Sequence, residues 1–389
     1  MKNILGFFIL LWAFSQCVEP FEEFDAQDFE DYLVVEGLIT NETKAHRILI
    51  SRTSPIDSLV FIPETEAQVH IEDEQGNRFP LSEKEPGKYF TTPNFTGIIG
   101  QSYTLLIQTS SGRNYRSDAV TLKSCPPIDS IYAEYRTGLI NRPDGIEFYV
   151  DSHDPSNQTR YYRWEWEETY EIVVPFASIF EWIQGNEVRP RTENVGNCWK
   201  SDTSSTILIK NTIGLANDQI SRFPVRFMDK FSQEIRTKYS ILVKQYALSE
   251  EAFTFWSNLQ ESQTRQGSLF DIQPGIIQGN IRSLDDKNEI VLGYFDASQV
   301  STLREFFVPS DFNDQGFVRP SYFANCFILD TIPEARIGEY LLTENNLESR
   351  EIWDSFGAFG FTDIFYVIVP KACANCTGFA DKKRPSFWR

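Results

Sequence analysis

The sequence is poor in basic residues and in histidine. It has 36 lysines and arginines and 55 aspartates and glutamates, which gives a net charge of −19. This charge argues against a protein that binds nucleic acid or anionic lipid through a basic face. The three histidines, His46, His70 and His153, stand without an H-E-x-x-H or G-x-S-x-G motif, which argues against zinc hydrolases and Ser-His-Asp enzymes. P-loop and G-x-G-x-x-G motifs are also absent. We therefore expect no enzyme, metal or cofactor, although a hydrolase that uses only carboxylates stays open as a minor alternative.

The chain has only one long apolar run, Ile4 to Phe14, at its N-terminus. The run is too short for a hydrocarbon layer about 30 Å thick. It follows Lys2 and precedes Ser15, Gln16 and Cys17, an order typical of a secretory signal. The segment resembles a bacterial lipobox, except that Gln16 replaces the usual small residue. We predict a signal peptide over 1–16 and lipidation of Cys17; the alternative is an incidental cysteine beyond a conventional cleavage site.

The segment 17–31 has seven acidic residues and no basic residue. Because like charges repel and extend a chain, we expect a flexible tether between the lipid and the first domain. The early acidic residues also resemble the surface-export signal of Bacteroidetes lipoproteins. This resemblance implies that the protein lies on the outer face of the outer membrane. If the acidic residues are merely a solvated tail, the protein could face either side of that membrane.

Most of the mature chain is predicted to be β-structure. Apolar and polar residues alternate with period two, and turns such as Gln75-Gly76-Asn77 and Ser111-Gly112 separate the runs. We predict two antiparallel β-sandwich-like domains, at 32–124 and 125–389, with a joint at Cys125-Pro126-Pro127.

The second domain is predicted to contain an inserted helix and irregular segments. Ser249 can cap a helix near 249–266 that ends at Gly267, and Phe253, Trp256 and Leu259 recur at helical spacing. The strand-like runs 268–281 and 289–295 are assigned to the same domain. Residues 176–183 and 194–200 are expected to be irregular or short helical segments.

The aromatic residues fall into two groups. Trp164 and Trp166 share the parity of Tyr162 in an alternating run, which favours a core face over a sugar-stacking surface. Four other aromatic residues are explained less easily by a sheet core. We take them as candidates for an exposed partner-contact patch: Phe176, Phe180, Trp182 and Trp199.

Five cysteines remain once Cys17 is acylated, and an exported chain can oxidise them. Cys373-Ala-Asn-Cys376 has the spacing of a redox dithiol or of half a zinc site, but no second motif completes four ligands. We expect disulfides, with the pairing open, among Cys125, Cys198, Cys326, Cys373 and Cys376. The odd count leaves at least one cysteine free or paired elsewhere.

Several runs together resemble a family of Bacteroidetes outer-membrane lipoproteins classed as a domain of unknown function. They are Cys17-Val-Glu-Pro-Phe, Leu33-Val-Val-Glu-Gly-Leu-Ile-Thr-Asn, Ser51-Arg-Thr-Ser-Pro-Ile, Phe255-Trp256, Gly267-Ser-Leu-Phe-Asp, Gly279-Asn-Ile-Arg-Ser, Val291-Leu-Gly-Tyr-Phe and Pro385-Ser-Phe-Trp. The likeness extends over nearly all of the mature chain. It implies a carboxypeptidase-regulatory-like N-terminal sandwich and a fibronectin-type-III-like C-terminal domain.

The resemblance also implies genes beside TonB-dependent outer-membrane receptors. The expected function is therefore a non-enzymatic, surface-exposed lipoprotein that acts as an accessory or binding partner of such a transporter, with an unknown ligand. The alternative is a free-standing glycan- or peptide-binding surface module. The family likeness supplies only an association, because a fold does not determine a function.

Overall fold

The computed structural model describes residues 31–55, 58, 60–138, 140, 142–183, 187–264, 276–321, 326–343, 346–357 and 364–389. The predicted signal peptide, Cys17, the predicted tether up to residue 30 and the predicted helix stop at Gly267 lie outside these ranges. Among the described residues, no helix is both long and apolar enough to cross a membrane.

The described chain is mainly β. Its strands are β1 Leu33–Thr40, β2 Arg47–Arg52, β3 Ile62–Pro63, β4 Gln68–Asp73, β5 Arg78–Pro80, β6 Ser82–Glu85, β7 Lys88–Phe90, β8 Ser102–Gln108, β9 Asn114–Ser117, β10 Val120–Thr121, β11 Ile128–Arg136, β12 Gly145–Asp154, β13 Tyr161–Val173, β14 Phe180–Ile183, β15 Glu187–Pro190, β16 Asn197–Thr203, β17 Leu208–Asn211, β18 Asp218–Asp229, β19 Tyr239–Ala247, β20 Ile281–Ser283, β21 Val291–Ser298, β22 Val300–Phe307, β23 Asp330–Pro333, β24 Arg350–Gly357 and β25 Ile364–Pro370. The α-helices are α1 Glu250–Thr264, α2 Ile337–Leu342 and α3 Asn346–Ser349, and 3-10 turns cover Pro309–Gln315, Glu334–Arg336 and Lys371–Cys373.

The first sandwich packs two sheets face to face. One has the order β21-β1-β2-β7-β6 with β3 beside β2, and the other has the order β20-β9-β8-β4-β5 with β10 beside β8. Alternate residues such as Val35, Ile48, Ile50, Leu105 and Ile107 are buried between them, as the period-two pattern predicts.

Two strands of this sandwich come from beyond α1. Ile281–Ser283 pairs with β9, and Val291–Ser298 runs parallel to β1 along its whole length. Their predicted assignment to the second domain is therefore wrong, whereas the strand pairs other than β1–β21 are antiparallel as predicted. The chain crosses over and adds β21 to the free edge of β1 in the first sheet. Gly293 of β21 has a φ of +91° and no Cβ, so the backbones of β21 and β1 can approach closely. A Cβ at Gly293 would lie 1.9 Å from the Val35 carbonyl oxygen.

The second sandwich packs β11-β12-β18 against β16-β13-β19-β22, with β17 also beside β13. Trp164 is fully buried, and its indole Nε1 donates a 2.9 Å hydrogen bond to Gln245 Oε1. Trp166 is buried too, so this aromatic run forms a core face as predicted. His153, predicted in a turn, lies in β12 just before the turn begins.

A third unit lies on the second sandwich. It consists of the hairpin β14-β15, the sheet β23-β25-β24 and α2, around a core that includes Ile337, Leu341, Ile352 and Ile368. The irregular or helical structure predicted for 176–183 and 194–200 is wrong for 180–183, which form β14, and for 197–200, which belong to β16; residues 176–179 and 194–196 lie outside the strands.

Helix α1 begins as predicted, since Ser249 Oγ accepts the Ala252 amide at 3.0 Å. The helix contacts β13 and β17 of the second sandwich and β21 of the first. The helix therefore packs against both sandwiches.

Candidate functional site

A cavity of about 840 Å³ lies at the junction of α1 with the first sandwich. Phe255 and Tyr294 form its apolar wall, with ring centroids 5.0 Å apart. Asn280 holds the strands behind it by exchanging two hydrogen bonds, of 2.8 and 2.9 Å, with the Phe295 backbone. Three runs that carry the family resemblance, around Phe255, Gly279 and Val291, thus meet at this junction cavity.

Charges of both signs surround the junction cavity. Asp118, Glu250 and Glu251 face Lys123 and Arg282 across it. The Arg282–Asp118 pair, 3.4 Å apart, is exposed and contributes little to stability. Such a rim offers hydrogen bonds to a polar molecule.

A buried charged cluster lies beneath the same junction. The Arg163 guanidinium stacks between Tyr246 and Trp256, with ring centroids 4.9 and 4.4 Å away, and pairs with Glu165 at 3.0 Å. Asp296 is buried nearby, and burial raises the pKa of its carboxyl although Arg163 opposes this shift. Because Trp256 belongs to α1 and Arg163 to β13, the cluster fixes the helix on the second sandwich.

A second cavity, the Phe231 pocket, lies at the end of the second sandwich and measures about 580 Å³. Tyr170 and the turn between β18 and β19 form its walls, and Phe379 from the C-terminal segment closes one side. The side chain of Phe231 is 71% exposed and that of Phe379 39% exposed. Exposed aromatic rings beside polar groups are the usual composition of a ligand-binding cleft.

The polar groups of the Phe231 pocket include an unused acceptor. Gln233 Nε2 donates to the carbonyl oxygens of Phe231 and Ser321, both at 3.3 Å. Its Oε1 is buried and has no hydrogen-bond partner in the described part of the chain. Burial and the charge of Glu234 raise the pKa of Tyr170 to about 12, so its hydroxyl stays protonated at neutral pH. The pocket can therefore both accept and donate hydrogen bonds.

A third cavity, of about 390 Å³, is lined by His153 and several aspartates. His153 Nδ1 lies 2.7 Å from Asp129, and this hydrogen bond raises the pKa of the imidazole. Asp154 has a pKa of about 2, because hydrogen bonds from Ser156, Gln158 and Thr159 outweigh the effect of its burial. Across the ranges that the structure describes, no three His, Cys, Asp or Glu side chains are placed to hold a metal ion.

The four aromatic residues predicted as an exposed contact patch are half-buried and pack against other side chains, and their role in partner contact stays a prediction. Phe180 and Trp182 lie against the core of the third unit, and Phe180 contacts Tyr366 edge-to-face. Phe176 packs on Trp353, with ring centroids 4.8 Å apart, and Trp199 packs on Trp388. Their partners come from the last sixty residues, which sequence spacing alone cannot match to them.

The cysteines of the C-x-x-C motif form two separate disulfides. Cys376 pairs with Cys198 of β16, and Cys373 pairs with Cys326. Cys125 is buried without a disulfide, and its thiol donates to the Gln245 carbonyl at 3.3 Å. The prediction that Cys125 forms a disulfide is wrong. In the second sandwich its thiol lies against the Gln245 carbonyl oxygen and not against another thiol.

The residues that line the Phe231 pocket were missed from the sequence. Phe231 is the one large apolar residue in the polar turn Asp229-Lys230-Phe231-Ser232-Gln233. A large apolar side chain in such a turn is a usable signal, because turns normally leave it in water. Phe379 gave no comparable signal, since its position depends on the Cys198–Cys376 disulfide.

Comparison with known proteins gives one family. A family model described as Domain of unknown function (DUF4249) matches residues 18–304. The chain belongs to the DUF4249 family. No curated protein matches the chain.

The DUF4249 match ends inside β22. It contains the first sandwich, the second sandwich except for the end of β22, α1 and all residues of the junction cavity. The sheet β23-β25-β24, Phe379 and the run from Pro385 lie beyond it, so the likeness covers less of the mature chain than we expected. Three of the four cysteines in disulfides also lie in that C-terminal part.

Proposed function

We propose that this protein is a non-enzymatic lipoprotein on the outer face of the outer membrane, where it serves as an accessory or binding partner of a TonB-dependent transporter. The observation that supports a tethered body is the position of β1. This strand follows the acidic segment 17–31 directly and is hydrogen-bonded to β2 on one side and to β21 on the other.

The start of β1 is also fixed by side chains. Asp31 lies 3.6 Å from Arg52, and Tyr32 exchanges two hydrogen bonds of 3.0 Å with Thr53. A pull on the tether therefore acts on the centre of a sheet and not on a frayed end. A tethered body also works at high effective concentration near its membrane partner, so that a modest affinity suffices.

Replacement of the lipidated cysteine tests the anchor. Cys17→Ala removes the only thiol that a lipid could modify at the mature N-terminus, and we expect the variant to leave the membrane fraction while the parent stays in it. Cys125→Ala, at a buried thiol outside the disulfides, serves as the matched control. Equal membrane partitioning of Cys17→Ala and the parent would contradict the anchor.

Cross-linking of native outer membranes, followed by mass spectrometry, tests the partner. We expect cross-links between this chain and a TonB-dependent β-barrel, and co-purification of the two after gentle detergent extraction. Isolation of the lipoprotein under these conditions without any barrel would contradict the accessory role and leave the anchor untouched.

The second candidate function is a free-standing glycan- or peptide-binding module. The Phe231 pocket favours it, because an exposed ring lies beside the unused Gln233 acceptor. We expect binding on a glycan or peptide array that Phe231→Ala abolishes. Phe356→Ala, at a ring 51% exposed in the third unit, is the matched control and should bind as the parent does. Array binding that is equally strong in Phe231→Ala would exclude this pocket.

A further inference from the structure

Three consecutive apolar side chains are exposed at one end of the first sandwich. Val60, Phe61 and Ile62 are 62%, 51% and 37% exposed. Single exposed apolar residues are common on soluble proteins, but a contiguous group marks a surface that contacts something other than water. We call these three residues the apolar tip.

The apolar tip lies at the end of the sandwich from which the tether leaves. Ile62 is paired with Arg52, and Arg52 is paired with Leu33, the first residue of β1. Neighbouring strands are about 4.8 Å apart, so Ile62 lies about 10 Å from the start of β1. Arg52 also pairs with Asp31, the last residue of the tether.

The tip is held on fixed backbone. Glu64 donates its amide to the Ile50 carbonyl at 3.0 Å, and its carboxylate pairs with Arg52 at 2.7 Å. Pro63 packs on Gly87, where a Cβ would lie 2.9 Å from the proline ring. The backbone that carries the tip is therefore fixed, so that binding through the tip costs little conformational entropy.

The charges beside the tip are already neutralised. Arg52 is shared by Glu64 and Asp31. Removing water from one side of a paired charge costs less free energy than removing it from a free charge. The net charge of −19 disfavours a strongly anionic partner, whereas zwitterionic headgroups carry no such penalty.

The tether is short enough to bring the tip to the bilayer. A segment as long as 18–31 reaches at most about 50 Å even when it is fully extended. We propose that Val60, Phe61 and Ile62 insert into the surface of the lipid bilayer to which the acylated N-terminus anchors the chain, so that the first sandwich stands with this end on the membrane. This inference rests on the lipid anchor of the proposed function.

The insertion is tested with the mature lipoprotein in phosphatidylcholine vesicles. A single fluorescent dye is attached through Phe61→Cys, or through Val60→Cys as a second variant. The matched control is Ile98→Cys, whose parent side chain is 61% exposed at the opposite end of the sandwich, beside the carboxyl end of β1. Labelling is selective, because Cys125 is buried and four other cysteines are in disulfides.

We expect the dye at position 61 to lose quenching by aqueous iodide and to gain quenching by nitroxides on the lipid headgroups, since inserted apolar faces lie about 5–10 Å deep. The dye at position 98 should behave in the opposite way. Vesicles that carry the protein but leave both dyes equally open to iodide would overturn the insertion, point to a protein partner at the tip and leave the lipid anchor intact. Failure of the unlabelled protein to float with the vesicles would overturn both the insertion and the anchor.

Discussion

At the scale of single residues, His46 is the buried group most sensitive to acid. It is 2% exposed just before β2, where Nε2 lies 3.1 Å from Thr40 Oγ1 and Nδ1 finds no partner among the described residues. Burial, with the nearby charge of Lys44, lowers the pKa of the imidazole from 6.5 to about 4. The first sandwich therefore folds around a neutral histidine.

Acidification should destabilise the protein through this residue. Between pH 6.5 and 4 the unfolded chain binds a proton at His46 that the folded chain excludes. One pKa unit corresponds to about 1.4 kcal/mol, so the free energy of unfolding should fall by up to about 3 kcal/mol across this range. Full stability returns above pH 6.5. Urea unfolding at several pH values measures this change.

The variant His46→Gln should lose this part of the pH dependence, because glutamine does not titrate. The matched control is His70→Gln on β4, which makes the same chemical change at a half-buried site. An equal loss of stability on acidification in His46→Gln and in the parent would show that another group is responsible.

At the scale of elements, the third unit is held to the second sandwich by covalent bonds as well as packing. The Cys198–Cys376 disulfide joins β16 to the C-terminal segment, and Cys326–Cys373 closes a loop around β23, β24 and β25. The unit has only a small core of its own, against which Phe180 and Trp182 of its strand β14 pack. Small cores of this kind commonly depend on disulfides.

The double variant Cys198→Ser/Cys376→Ser should therefore unfold more easily. Loss of a native disulfide commonly costs about 2–5 kcal/mol, and this one closes a loop of 178 residues. Thermal unfolding should show the loss, and limited proteolysis should cut first within residues 326–389. Cys125→Ala is the control for thiol removal. An unchanged melting temperature in the double variant would show that packing alone holds the third unit.

Much of the fold could be predicted at this scale, because local patterns determine it. The alternation of Tyr162, Trp164 and Trp166 identified a buried strand face, and the Ser249 hydroxyl marked the start of α1. The partner of a strand is not a local property. The parallel pairing of Val291–Ser298 with β1 depends on which sheet edge is free after the chain has folded back.

The candidate sites were harder to predict than the fold for the same reason. The junction cavity gathers residues from β10, α1, β20 and β21, and the Phe231 pocket needs Phe379 from the far end of the chain. The four aromatics assigned to a contact patch were indistinguishable in sequence from exposed ones, because the residues that cover them lie more than 150 positions away.

At the scale of the whole molecule, α1 connects the two sandwiches. Trp256 of the helix covers Arg163 of β13, while Phe255 of the same helix packs on Tyr294 of β21. Consecutive residues on α1 thus contact different sandwiches.

Loss of the Trp256 ring should weaken this connection. Trp256→Ala removes a half-buried ring and its stacking on Arg163, and we expect a loss of about 2–4 kcal/mol in the free energy of unfolding. Calorimetry should show a broader transition or two separate ones as the sandwiches unfold less cooperatively. Trp256→Phe keeps an aromatic face over Arg163 and is the control. A single sharp transition at the parent temperature in Trp256→Ala would contradict the connecting role.

The parallel pairing of β1 with β21 also sets the order of events during biogenesis. Strand β1 lacks its partner on one side until Val291–Ser298 has been synthesised. Until then, β1 exposes a row of unpaired backbone groups on the nascent chain. A carrier that shields this edge in transit would protect the newly made protein from aggregation.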